Sequence, residues 1–248
     1  MNADDLLRTL VALETGDLRA RKAAALLCEA PADEAVAAVS AVLVLADQRS
    51  DPAAAALEGI LRAVRTHLPD AELVRLHNAA EAAQLLEVQT LFTRAEARRS
   101  FDRDRQQWVD KEMQARSLGQ RRQLARSPDR DLLARLAADQ DTTVVRQVLE
   151  NPRCTEREAL VAASRRPART EVLEEVFRSR RWSANRRVRR ALALNPYSPP
   201  ALAAAALALL TAPDLREVAN DGTLSAEVRV QARRLLGNRT PDDPPAAG

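Results

Sequence analysis

At 248 residues the chain is long enough to bury one large core or to build a single extended stack of repeats. Hydrophobic residues make up 46 % and aromatics only 2 %, so the apolar content is mostly Ala, Leu and Val, a helix-forming mix without the aromatic and β-branched runs of strands. The net charge of +3 conceals an asymmetry: residues 1–92 carry a balance of −6 and the remainder +9, which suits two surfaces with different partners.

The first half reads as a series of amphipathic helices, an acidic helical domain over 1–92. Leu6, Leu7, Leu10 and Val11 line the first, with Gly16 just past its end. A second runs from about Asp17 to Ala30 and stops at Pro31, and a third carries Val36, Val39 and Leu43 at helical spacing. Ser50-Asp51 followed by Pro52 predicts a capped helix start, because Pro at the first helical position gives up an N–H that has no partner anyway. Asp70 is placed to cap a fifth helix bearing Leu73 and Leu76, which continues or breaks before Leu85, Val88 and Leu91.

Residues 93–120 are predicted to form a charged connecting helix. It opens with a Thr93/Glu96 capping-box pattern, carries a thin stripe of Phe101, Trp108 and Ala115, and ends at Gly119.

The second half, 121–237, contains internal repeats. Asn151-Pro152 and Asn195-Pro196 read as two copies of a helix start, Asn capping and Pro opening the next turn; Ser127-Pro128 and Asn220-Asp221 supply earlier and later versions, at intervals of 24, 44 and 25 residues. Val-Arg recurs at 145–146, 188–189 and 228–229, each time after a polar turn and before an apolar helix. A period near 40 residues with two or three helices per unit is the signature of a HEAT-like stack. The strings VVRQVLENPRCTEREAL and RVRRALALNPYSPPAL resemble leucine-rich-repeat-variant units, which run roughly V-R-x-x-V-A-x-N-P-x-x-P-x-x-x-L. The resemblance covers about 121–237 and implies an all-α protein, a HEAT-like or leucine-rich-repeat-variant α-solenoid. The 44-residue interval departs from the short period, so the copy inside it is degenerate. Some members of that family carry an iron–sulfur cluster on a cysteine-rich segment; nothing here matches it, and no cofactor is expected. The tail 238–248, NRTPDDPPAAG, is proline-rich and polar and is expected to be disordered.

The basic run from Arg165 to Arg190 is the leading candidate site. It holds Arg165, Arg166, Arg169, Arg178, Arg180, Arg181, Arg186, Arg187, Arg189 and Arg190 against Glu171, Glu174 and Glu175. Arg165, Arg166, Arg178, Arg180, Arg181, Trp182, Arg186, Arg187 and Arg190 are expected to meet an acidic protein face or a phosphate backbone; the plain alternative is a solvated helix face with arginines paired inside the stack. Arg146, Arg189 and Arg229 occupy equivalent repeat positions and are expected to pair with turn carboxylates such as Asp139 or Glu227. Trp182 is either a binding hot spot beside arginines or a plug between helices, and Trp108 is read as packing. Tyr197 is expected to staple its turn.

Catalytic patterns are missing: His67 and His77 stand ten apart with no HExxH, the two cysteines, Cys28 and Cys154, form no CxxC, and no GxSxG, phosphate loop or DxD motif occurs. The acidic start lacks a signal-peptide layout and the apolar stretch Pro199–Pro213 is short for a membrane span, so a soluble cytoplasmic protein is expected, with no membrane partner. The functional expectation is a non-enzymatic helical-repeat adaptor or regulator. Its general layout is similar to regulators in gliding bacteria that assist a polarity GTPase and its activator, which implies a small GTPase or that activator as partner. The second expectation is a nucleic-acid-binding HEAT-like protein, similar to DNA glycosylases of that architecture, although Glu112 stands where their aspartate would follow Trp108.

Overall fold

The computed structural model describes residues 1–47, 50–93, 95–102, 110–179, 181–207 and 210–238. Among them there are sixteen helices and no strand. The first half comprises α1 (Ala3–Val11), α2 (Gly16–Glu29), α3 (Ala32–Asp47), α4 (Asp51–Thr66), α5 (Asp70–Ala82) and α6 (Leu86–Leu91). Then come α7 (Lys111–Ala115), α8 (Leu118–Leu124), α9 (Arg130–Leu136), α10 (Thr142–Glu150), α11 (Glu156–Ser164) and α12 (Thr170–Arg178). The chain closes with α13 (Arg186–Ala193), α14 (Pro200–Leu207), α15 (Ala212–Asn220) and α16 (Ala226–Asn238). No helix among the described residues is long and apolar enough to cross a membrane.

Start chemistry explains most boundaries in the first half. Asn2, Thr15 and Ser50 each accept the N–H three residues on, closing α1, α2 and α4 at their N-termini. Gly16 does not trail the first helix as expected. It is the first residue of α2, where a Cβ would stand 3.2 Å from Glu58 and Arg62. Asp70 likewise lies inside α5, behind Pro69, rather than capping it. The break before α6 falls at Gln84, which takes a positive φ of 55°.

The stretch 93–120 is not one helix. Residues 95–102 carry no helix, Thr93 Oγ1 accepts the N–H of Ala95 at 3.0 Å instead of opening a capping box, and the Arg99 N–H donates to Pro196 O at 3.0 Å. Between Phe92 and Phe101 no apolar residue is larger than Ala, so a helix there would have nothing to bury. Residues 103–109, with Trp108, lie outside the described residues. Gly119 belongs to α8, which opens on a Ser117/Gln120 capping box.

From α8 onward the helices share one local design. A cap residue is followed ten positions later by a turn residue: Ser117 and Ser127, Asp129 and Asp139, Asp141 and Asn151, Asn185 and Asn195, Thr211 and Asp221. Each of these turn residues accepts, through its side chain, the N–H two positions on, at 2.8–3.2 Å. α11 and α12 keep the length, with Thr155 ten before Arg165 and Arg169 ten before Ser179. The 44-residue interval is therefore filled by two further helices of the same size whose turn positions lost the marker residue.

This register corrects two readings of the repeats. Asn151 and Asn195 do not start helices; they end them, and Pro152 and Pro196 lie in the turns that follow. Their amides reach backward instead. Asn151 Nδ2 donates to Ala125 O and Ser127 O, both at 2.9 Å, and Asn195 Nδ2 to Ala163 O at 3.0 Å and Arg165 O at 2.9 Å. These are carbonyls at or just beyond an earlier helix's C-terminal end, where no partner exists within the helix. Second, the Val-Arg pairs are out of register by one. Counted from the turn asparagine, Arg146 corresponds to Arg190, and Arg189 takes the place of the buried Val145.

Packing follows an alternation. α8 lies on α10, α10 on α12, α12 on α14 and α14 on α16, while α9 lies on α11 and α11 on α13. The first half sits on the former row, α4 against α12 and α6 against α14 and α16. One apolar cluster runs from Leu6 to Ala232 through both halves.

Candidate functional site

The arginine run does not form a single surface; the fold distributes it over several places. Arg178 points into the seam between the halves, where Nε meets Glu58 at 2.8 Å and Nη1 meets Glu175 at 2.8 Å. Arg190 pairs with Asp214 and Glu217 on α15. Arg165 is half-buried and bonds Pro167 O, and Arg166 bonds Leu194 O, both near the turn that enters α12. Arg189 is 1 % exposed, donates to Ser183 O and Ala205 O, and lies 5.3 Å from the Phe177 ring centre. Arg146 holds Glu175 in a two-pronged bond at 2.7 and 2.9 Å, and Asp139 faces Arg121 at 3.0 Å, so the expected pairing of Arg146 with Asp139 is replaced by one across the helix row. Arg180 lies outside the described residues.

Trp182 is a plug. It is buried, and its Nε1 donates to Leu149 O at 3.3 Å, while the Arg181 guanidinium covers its ring at 4.7 Å. A tryptophan held in this way has no free face for a nucleobase. Tyr197 is buried in its turn, with its N–H on Asn195 Oδ1.

Arg166, Arg181, Arg186 and Arg187 remain at the surface, Arg186 with Asp214 at 3.7 Å, and the fold adds four arginines outside the predicted run. The turns α8–α9, α10–α11 and α12–α13 are stitched side by side. Asn151 reaches the first of them, Arg181 Nη1 donates to Asn151 O at 3.2 Å, and both Asn185 and Arg187 hold Glu156 at 3.0 and 2.6 Å. Along this ridge stand Arg126, Arg130, Arg153, Arg157, Arg181, Arg186 and Arg187, all exposed, beside the carboxylates Asp129, Asp131, Glu150 and Glu156. Arg187 keeps 69 % of its side-chain surface open and Arg186 49 %. Arg130, Arg157 and Arg186/Arg187 all fall one or two residues after a helix cap. Aligning the caps would have shown them, but the cap residues Asp129, Thr155 and Asn185 share no identity.

A second feature escaped sequence reading altogether. Between α4, Thr93 and residues 95–101, α10, the length of α12, and the start of α14 lies a cleft of about 740 Å³. Its floor is a chain of alternating charges, Glu58–Arg178–Glu175–Arg146, extended behind Glu58 by Arg19, with Arg65 on Glu174 beside it. Glu58 and Glu175 are almost fully buried, and burial pushes the Glu174 carboxyl above its ordinary range against the pull of Arg65 and Arg178. The two partners of Arg178 lie on helices 117 residues apart, a juxtaposition that no local motif announces. Among the described residues no cluster of three or more His, Cys, Asp or Glu could hold a metal ion.

No family model, curated protein or solved structure matches this chain. The leucine-rich-repeat-variant resemblance therefore rests on the residues already quoted, and the polarity-regulator resemblance on general layout alone.

Proposed function

We propose that the protein is a non-enzymatic, cytoplasmic adaptor whose helices α8–α16 act as a HEAT-like α-solenoid, and that its arginine ridge binds an acidic face of a partner protein. The observation that carries this reading is the ridge itself: three turns lying side by side, tied by hydrogen bonds, present exposed arginines, of which Arg130, Arg153 and Arg157 make no side-chain hydrogen bond or ion pair among the described residues. Alternating helix rows and backward-reaching asparagines support the solenoid, because each helix from α8 to α12, and α14, packs on the second one after it. A rigid row of turns offers guanidinium forks at regular intervals, the arrangement that planar carboxylates reward. A small GTPase or its activator is the narrower proposal from the overall layout.

The nucleic-acid reading keeps one support, since the same forks suit phosphates. Against it stands Trp182, whose ring is covered and whose N–H is used. The deciding experiment is affinity capture with nuclease-treated lysate, comparing wild type with a variant carrying Arg130→Glu, Arg153→Glu, Arg157→Glu and Arg187→Glu. A stoichiometric protein held by the wild type and lost from the variant supports the adaptor. Retention of the same proteins by both removes the ridge from the interface. Nucleic acid held before nuclease, with a steep fall in affinity as salt rises and no protein afterwards, replaces the adaptor with the alternative.

A further inference from the structure

The seam cleft makes a different kind of site from the ridge. Its volume, about 740 Å³, lies in the range of pockets for small ligands, and its walls come from both halves of the chain. Arg62 and Arg65 enter from α4, Arg99 from residues 95–101, Arg146 from α10, and Arg169 and Arg178 from the start and end of α12.

The charges in it are layered. Glu58 and Glu175 keep only 9 % and 6 % of their side-chain surface, whereas the side chains of Arg146, Arg65 and Arg169 keep 44, 35 and 33 %. The carboxylates thus form a floor that is spent on fixing guanidiniums. Arg146 gives Nε and Nη2 to Glu175 and keeps Nη1; Arg65 sets Nη1 against Glu174 as an ion pair and keeps Nε and Nη2. A guanidinium offers five donors, so each anchored arginine retains N–H groups with its orientation already set. Arg99 makes no side-chain bond among the described residues, and Arg62 has only Asp17, at 3.7 Å. Two carboxylates stand at the mouth, both exposed: Glu171, which Arg169 meets at 3.4 Å, and Glu96. Thr66, Thr93, Ser100, Thr142 and Thr170 add hydroxyls to the wall.

We propose that this cleft binds a small molecule bearing a phosphate or polyphosphate group, held by the spare N–H donors of arginines from both halves. Several guanidiniums on separate elements suit an oxyanion with more than one charge and acceptors on several sides. A ligand seated there would clamp α4 to α12 and stabilise the seam, since it binds only the folded arrangement.

The test is calorimetric titration of the full chain with inorganic pyrophosphate, together with thermal unfolding in its presence. The expected result is saturable binding with one site and a raised midpoint. Affinity should fall about tenfold in each of Arg99→Ala and Arg169→Ala, which lie at the mouth rather than in the floor. The ridge variant Arg187→Ala should bind like wild type, which separates this proposal from the adaptor reading. Absence of saturable binding at millimolar pyrophosphate overturns it, as does binding that survives both mouth variants. A glutamate-rich peptide that binds where pyrophosphate does not, and is lost in the mouth variants, overturns it in favour of a peptide groove.

Discussion

Replacing Asn195 tests the backward-reaching asparagine most directly. Its side chain is 1 % exposed and makes three bonds: Nδ2 to Ala163 O at 3.0 Å and to Arg165 O at 2.9 Å, and Oδ1 from the Tyr197 N–H at 3.0 Å. Asn195→Ala removes all three and leaves two carbonyls and one N–H under-satisfied in a closed turn. At about 1 kcal/mol for each bond the loss is about 3 kcal/mol, which lowers the midpoint of a chain this size by roughly 6–12 °C. Asn195→Asp is the sharper probe. It keeps the acceptor for Tyr197 but turns an oxygen, not an amide, toward Ala163 and Arg165, so it should destabilise more than alanine does. Were Asn195 a helix cap, Asp would serve about as well as Asn. Urea unfolding followed by circular dichroism gives the three stabilities. An aspartate variant as stable as wild type refutes the reasoning; so does an alanine variant that loses less than about 1 kcal/mol.

Three further outcomes are expected. Gly59→Ala should destabilise by about 1 kcal/mol despite the better helix propensity of alanine, because the new Cβ would stand 2.9 Å from Arg19 Cγ and displace the guanidinium that bonds Leu10 O and Leu13 O; urea midpoints measure it, and a stabilised variant contradicts the packing. Asp110 is held at about 2 by its bonds from Arg135 and the Met113 N–H, against an ordinary value of 3.8, so its contribution is whole above pH 4 and is lost as pH falls from about 4 to about 2. Asp110→Asn should therefore flatten the stability profile in that window, and an unchanged acid slope would be the contrary result. Burial raises the Cys154 thiol to about 11, while Cys28 is exposed, so an aromatic disulfide reagent at pH 8 should titrate one thiol in the native protein and two in denaturant. Two fast thiols under native conditions would refute it.

The helical class was legible in the sequence because alanine and leucine at helical spacing leave no alternative, and the Ser50–Pro52 start is carried by local chemistry. The recurring turns of the second half were visible in the sequence, but their register was not. The motif Asn-Pro looks like a cap followed by the first helical residue, and only the amide's reach to a carbonyl more than twenty residues earlier shows otherwise. Arg189 misled for a related reason. A buried guanidinium occupies a valine position because Ser183 O and Ala205 O satisfy it, and nothing local in the sequence announces distant acceptors. The same limit hid the seam, where Glu58 finds Arg178 after 120 residues of intervening chain. Among the candidate arginines, charge density was visible, but which ones face solvent depends on carboxylates placed by other helices.

The asparagine bonds also give the chain a direction in time. The carbonyls of Ala125 and Ser127 are completed by residue 151, and those of Ala163 and Arg165 by residue 195, always by a later part of the chain. During synthesis each turn therefore leaves the ribosome unfinished and stays so until 24–32 more residues have followed. A released chain ending at residue 190 stops on a helix without its closing turn, whereas one ending at 200 carries the amide that seals what came before. Truncations on the two sides of Asn195 should thus give chains of nearly equal length with different resistance to proteases.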